Sequence, residues 1–407
     1  MIEIKKLSNG IPLLMEKVTD IQSFTMGIFV KTGARNEYPH EQGISHYIEH
    51  MMFKGTEKRS AKEISEIIDY NGGNMNAYTS RDTTCYYVKM LSSKLPVAVD
   101  VFADMFLNST FTEENLEKER NVILEEIKMY QDIPEETIHD ENISFLLKNE
   151  YGNNILGSEE ILKNIDRDAF MNYFRSKYCP ENIGISIAGN FDFQEVEKLL
   201  EDSFGKMEER GARREIASDF TLSTGENILK RDCNQVHLCF NTEGVSTRHE
   251  DRYVMGILAD ILGGNMSSRL FQKIREERGL VYSVYCYSTN FEEGGAFTIY
   301  AGTSKESYRE VIELIQEELE LIKKEGILLE ELERAKNQII SSLTFALENS
   351  RGKMIRMWNS YQLYGRIIDV EEVMEIISKI DIEDVKRLAE KLFKKEGYSV
   401  SVLGDIE

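Results

Sequence analysis

A chain of 407 residues is longer than one hydrophobic core usually organises and suits two domains of about 200 residues each. Its 41% hydrophobic share fills globular cores and argues against disorder, while a formal charge of −22 argues against binding nucleic acid or an anionic membrane. Five cysteines, odd in number and without Cys-x-x-Cys spacing, predict reduced thiols in a reducing, cytoplasmic compartment.

The opening Met1-Ile2-Glu3-Ile4-Lys5-Lys6 reads as a strand and carries no apolar core of a signal peptide. No run in the chain approaches membrane-spanning length. Phe24, Met26, Ile28 and Val30 alternate with smaller or polar residues, which predicts a half-buried strand. Next comes His46-Tyr-Ile-Glu49-His50. On a helix the i, i+4 spacing places both imidazoles on one face, one turn apart, where both can reach one metal ion. Glu49 can then approach a metal-activated water without itself being a ligand. This is the inverted His-x-x-Glu-His order, in a chain with only six histidines. A catalytic zinc takes three protein ligands and keeps one position open, so a third ligand is required further on.

A second helix is expected from Ala61 to Tyr70, then a Gly72-Gly73 turn, strand material from Asn76 to Leu91, and a helix from Leu95 to Leu107. The segment from Thr112 to Tyr130 predicts a longer helix, with Thr112 as N-cap and Glu113 and Glu114 in the first turn. Within it Glu119 and Glu126 lie seven apart along one face. Most glutamates of this run read as a solvated surface.

The second half repeats the order. Val236, Leu238 and Phe240 alternate as a strand; helices are expected over Arg252 to Leu262 and Ser268 to Glu277, and strands over Val281 to Tyr287 and Ala296 to Gly302. An amphipathic helix then carries Val311, Ile315, Leu319 and Ile322 up to Gly326, and another holds Leu332, Ile339, Leu343 and Leu347. The segment matching the His46–His50 helix reads Met255-Gly256-Ile257-Leu258-Ala259-Asp260 and offers no metal ligand. The expected fold class is therefore α+β: two homologous domains, each a largely antiparallel sheet covered by helices. Domain boundaries fall at 1–210 and 225–407, with the polar stretch Glu208 to Glu226 as linker. His40, His139, His237 and His249 lack partners at ligand spacing and read as structural or surface residues.

These residues resemble the M16 metallopeptidases, the relatives of pitrilysin, insulysin and mitochondrial processing peptidase. The likeness is carried by His46-x-x-Glu49-His50, by a glutamate some seventy-five residues on in Glu119-Arg120-Asn121-Val122-Ile123-Leu124-Glu125-Glu126, and by flanking text. That text includes Gly43-Ile44-Ser45, Met52-Phe53-Lys54-Gly55-Thr56 and Asn76-Ala77-Tyr78-Thr79. It is closest to the short, processing-peptidase-like bacterial members.

The resemblance implies one zinc ion per chain, held by His46, His50 and Glu126, with Glu119 orienting a ligand histidine. Glu125 is the neighbour most easily confused with Glu126; the spacing from His50 and the partnership with Glu119 favour Glu126. It implies Glu49 as general base and Arg275 and Tyr282 as donors to the developing oxyanion. It further implies that a peptide substrate pairs as an added strand along Asn76, Ala77 and Tyr78, and that Glu136 and Asp140 favour basic side chains near the cut. Long family members carry four such domains and this chain two, so a homodimer is expected, with Arg275 and Tyr282 supplied by the second copy. The implied activity is zinc-dependent endoproteolysis of extended peptides or unfolded tails. The alternatives are a catalytically inactive partner or scaffold subunit and a metal-dependent hydrolase of some non-peptide substrate.

Overall fold

The structure, a computed structural model, describes residues 1–208 and 219–406. The expected linker from Glu208 to Glu226 therefore falls largely outside the described residues. These residues form two compact units. One comprises Met1–Lys128, residues 153–208 and Phe345–Ile367; the other comprises Met129–Gly152, residues 219–344 and residues 368–406.

The first unit is built on strands β1 (Ile2–Lys6), β2 (Pro12–Lys17), β3 (Ser23–Val30), β4 (Asn74–Thr79), β5 (Thr84–Leu91) and β6 (Ile183–Gly189), in the order β1-β2-β6-β3-β5-β4. Only the β2–β6 pairing is parallel. Helices α1 (Ile44–Met51), α2 (Ala61–Tyr70), α3 (Leu95–Asn108) and α4 (Glu113–Gln131) contribute to the main core. Phe24, Met26, Ile28 and Val30 point from β3 into that core, as their alternation requires.

The other face of β3 is not solvated, contrary to the half-buried expectation: every residue from Phe24 to Val30 is buried. A helix far along the chain, Ser350–Tyr364, lies over it and packs Met354, Met357 and Trp358 onto Leu14, Phe29, Cys85, Tyr87 and Ala188. Trp358 stacks on Phe29 with ring centres 4.9 Å apart. Gly184 makes room for it, because a Cβ built there would lie 1.9 Å from the indole Cζ3. Polar ties fix the helix: Thr25 Oγ1 lies 2.7 Å from Ser350 Oγ, and Ser186 Oγ donates to the Met354 carbonyl at 2.9 Å.

The second unit carries β7 (Gly225–Lys230), β8 (Val236–Glu243), β9 (Val281–Asn290), β10 (Gly295–Thr303) and β11 (Ser399–Gly404), in the order β7-β11-β8-β10-β9. Its β7–β11 pair is parallel and the rest are antiparallel. This reproduces β2-β6-β3-β5-β4 of the first unit, strand for strand and sense for sense, which is the duplication expected from the repeated pattern. Helix α5 (Pro134–Leu146) covers one face of this sheet, although it comes from the first half of the chain. Asn142 and Asn241 exchange amide hydrogen bonds of 3.0 and 2.8 Å to hold it there. The segment expected as a helix from Ser268 to Glu277 forms a π-helix over Phe271–Glu276, with Glu277 N–H reaching back to the Gln272 carbonyl. Among the described residues no helix is long and apolar enough to cross a membrane.

Candidate metal centre

Helix α1 begins at Gly43, whose φ of 91° suits glycine and which offers no side-chain cap. The cap comes from Glu37 instead. Its carboxylate accepts the Gly43 N–H at 2.7 Å and the Ser45 N–H at 2.8 Å, two donors that the first helical turn leaves unused. Glu37 is 0% exposed, and burial pushes its carboxyl up to about 8. Tyr47, Ile48 and Met51 sink into the core, and the Tyr47 hydroxyl donates to the Leu116 carbonyl of α4. Thr112 caps α4 as expected, accepting the Asn115 N–H at 3.3 Å. Buried Leu116, Glu119, Ile123, Leu124 and Ile127 run along the packed face of α4.

This packing brings His46 and His50 to Glu126. Oε2 of Glu126 lies 3.8 Å from His46 Nε2 and 3.6 Å from His50 Nε2. Those separations are too long for hydrogen bonds, so three lone-pair donors face one another with no proton shared between them. They are a few tenths of an ångström longer than the edges, about 3.3–3.4 Å, of a tetrahedron with bonds of about 2.0–2.1 Å, so a small inward movement brings the three groups onto one ion. The three are the one group among the described residues in which three His, Cys, Asp or Glu side chains could hold a metal ion together. Burial, reinforced by the neighbouring His50, lowers the pKa of His46 to about 3 and keeps its imidazole neutral, the form a metal binds. Its Nδ1 is buried without a hydrogen-bond partner. The donor set fits zinc, with two imidazoles and one carboxylate. Glu125 points outward, 74% exposed, and pairs with Lys128 at 2.7 Å.

Glu119 Oε2 lies 3.3 Å from His50 Nδ1, and its Oε1 lies 2.8 Å from Lys54 Nζ. A carboxylate at Nδ1 favours the tautomer protonated there and frees Nε2 to face Glu126. Glu49 accepts the Thr79 hydroxyl at Oε2, 2.5 Å away. Burial raises the Glu49 pKa, and the hydrogen bond from Thr79 opposes part of that rise.

Thr79 ends β4, the edge strand of the first sheet, which has no neighbour on its outer side among the described residues. Ala77 and Met75 pack on the core face of β4, and Tyr78 on the face covered by Trp358. The Ala77 N–H bonds to the Asn76 side-chain oxygen at 2.8 Å and not to β5, so it belongs to the open edge. Of the three residues expected to meet a peptide, Ala77 thus carries the backbone donor on the open edge, and the Asn76 side chain accepts from it.

The remaining expected residues lie in the second unit. Arg275 and Tyr282 do share one surface: the guanidinium carbon is 5.7 Å from the Tyr282 ring centre, and Tyr282 is 74% exposed. Glu136 and Asp140 lie one turn apart on α5, the first exposed and the second half-buried. His139 is held by Tyr287 and Tyr285 hydroxyls at 2.8 Å each, and His237 by the Tyr300 hydroxyl at 2.8 Å, which gives both the structural role expected of them. Sequence reasoning did not single out Glu37, Lys54 or Thr79. Lys54 and Thr79 stood inside segments already noted for other reasons, and nothing local marked Glu37.

Comparison with known proteins agrees with this geometry. Residues 13–159 match the family model described as insulinase (peptidase family M16), and residues 164–339 match that of the peptidase M16 inactive domain. The uncharacterized zinc protease YmxG of Bacillus subtilis is 40% identical, covering 99% of this chain and 98% of its own. An uncharacterized zinc protease of Rickettsia bellii is 36% identical over 98% of this chain and 97% of its own. Among solved structures, a protease from Helicobacter pylori superposes with a TM-score of 0.90 at 20% identity, covering 99% of both chains, and so shares the fold.

Proposed function

Because the chain belongs to peptidase family M16, we propose that it is a zinc-dependent endopeptidase cutting extended peptides or unfolded protein tails. The observation that carries this reading is the convergence of His46, His50 and Glu126 beside a buried Glu49, with an open strand edge ending at the same place. Zinc bound there, one ion per chain, supplies the Lewis acid that makes water nucleophilic at neutral pH. Glu49 takes the proton of the attacking water and returns it to the leaving amine. Glu119 and Lys54 hold His50 in register, and Glu37 fixes the start of the helix that carries both histidines.

The substrate adds to β4 through main-chain hydrogen bonds, displacing the Asn76 amide oxygen from the Ala77 N–H. Such pairing reads backbone before side chains, which favours unfolded segments over folded domains. Exposed Tyr282 and adjacent Arg275 are assigned to the oxyanion, supplied by the second copy in a homodimer. Glu136 and Asp140 are assigned to basic side chains of the substrate. Five free cysteines suit a cytoplasmic setting.

The test is cleavage of a fluorogenic, extended basic peptide, with metal content measured in parallel. Chelation should abolish cleavage and zinc should restore it, at one zinc per chain. Cleavage that persists in a metal-free preparation overturns the proposal.

A further inference from the structure

The Thr79 hydroxyl is not needed to build the hairpin in which it sits. β4 and β5 are joined through Thr79 opposite Thr84, and the turn closes by the Ser80 N–H to the Thr83 carbonyl at 2.8 Å and the Thr83 N–H to Ser80 Oγ at 3.1 Å. The turn is also anchored from outside: Ala34 N–H donates to the Ser80 carbonyl at 3.2 Å and Arg35 N–H to the Arg81 carbonyl at 3.1 Å. Backbone and Ser80 thus fix the strand end, while the Thr79 side chain turns away to Glu49.

Period two explains where it points. Met75, Ala77 and Thr79 share the core-facing side of β4, so the edge strand whose Ala77 N–H faces outward delivers a hydroxyl to α1 two residues later. A hydroxyl has one proton to donate, and here it goes to Oε2 of Glu49. The bond draws electron density at Oε2 and makes Oε1 the better acceptor for the transferred proton.

We propose that Thr79 is a positioning residue that ties the general base to the strand on which the substrate is held, selecting Oε1 of Glu49 as the proton acceptor and setting it in register with the bond to be cut. This rests on the peptidase reading above. A peptide paired at Ala77 and a base held at Thr79 are then fixed by one short, anchored segment of backbone, so the distance between scissile carbonyl and base does not depend on loop motion. Loss of the hydroxyl frees the carboxylate to rotate without altering the edge that binds peptide or the three groups that face the metal.

The experiment compares wild type, Thr79→Val and Thr79→Ser. Val keeps the shape and removes the donor; Ser keeps the donor. For Val, kcat should fall roughly 10- to 100-fold with KM within about twofold of wild type, as expected for a lost hydrogen bond to a charged group acting in the chemical step. Ser should recover to within about threefold of wild type. Zinc per chain should be equal in all three. Crystal structures of the metal-free variants supply the readout independent of turnover: Glu49 should leave its place in Val and keep it in Ser. A Val variant with wild-type kcat, a Ser variant as impaired as Val, or Glu49 unmoved in Val overturns the proposal. If wild type cleaves no peptide, the peptidase reading fails, and the position of Glu49 still decides the role of Thr79.

Discussion

Glu119 and His50 meet across two helices, with Oε2 of the carboxylate 3.3 Å from Nδ1 of the imidazole and Lys54 2.8 Å from the other oxygen. The pair turns Nε2 of His50 toward Glu126, so a residue that touches no metal sets the direction of one that would. Replacing Glu119 by Gln should weaken zinc binding about 10- to 100-fold, measured by competition with a chromophoric chelator. Circular dichroism should match wild type. Unchanged zinc affinity would remove Glu119 from the centre.

Glu49→Gln separates binding from chemistry. The amide keeps the size of the side chain and its bond from Thr79 but takes no proton, so peptide turnover should fall by at least about 100-fold. Zinc content should stay at the wild-type level. A variant that still turns over normally would show that another group is the base.

Glu37 makes a prediction about pH. Its carboxyl is raised from 4.5 to about 8 by burial, so between those values the folded chain holds a proton that the unfolded chain releases. The stabilisation is fully present below about 4.5 and is lost as pH rises toward 8. Gln carries no such titration and presents an amide where two N–H groups seek acceptors, a cost of roughly 1–3 kcal/mol. The stability gap between wild type and Glu37→Gln should therefore be larger at pH 5 than at pH 8. Urea unfolding of the metal-free proteins, followed by the fluorescence of Trp358, measures it. Parallel pH curves for the two proteins would show that Glu37 holds no extra proton.

Gly184 allows a test of the packing around the single tryptophan. A methyl group there would meet the indole at 1.9 Å, against a ring that is fully buried. Gly184→Ala should destabilise the first unit by about 1–3 kcal/mol or more, lowering its melting temperature and shifting Trp358 emission to longer wavelength. Native emission and melting would contradict the placement of helix Ser350–Tyr364.

Much of the candidate metal site was legible because its geometry is local. His46, Glu49 and His50 sit within one and a half turns, and helical period alone decides which of them share a face. Glu126 was harder: it and Glu125 differ by a rotation of the helix, and burial of Leu116, Glu119 and Ile123 tells them apart. The hydrogen bond from Thr79 to Glu49 joins a strand to a helix and leaves no periodic trace. The same holds for the two exchanged helices. An amphipathic pattern says that a helix has an apolar face, not which sheet that face will cover, so α5 and Ser350–Tyr364 could not be assigned to their sheets. The full burial of β3 follows from that second helix, which covers the large apolar Phe29 on the far side of the strand.

The helix that shields β3 has a consequence for biosynthesis. While the ribosome is still making β7 to β10, Leu14, Phe29, Cys85, Tyr87 and Ala188 stand bare on the first sheet, with nothing yet translated to lie over them. The half bearing the histidines cannot finish folding until residues 345–367 have been made, when four of the five strands of the second sheet are already translated. A nascent chain halted before residue 350 leaves a sticky, unfinished product, so the first unit is completed only after most of the second has been translated.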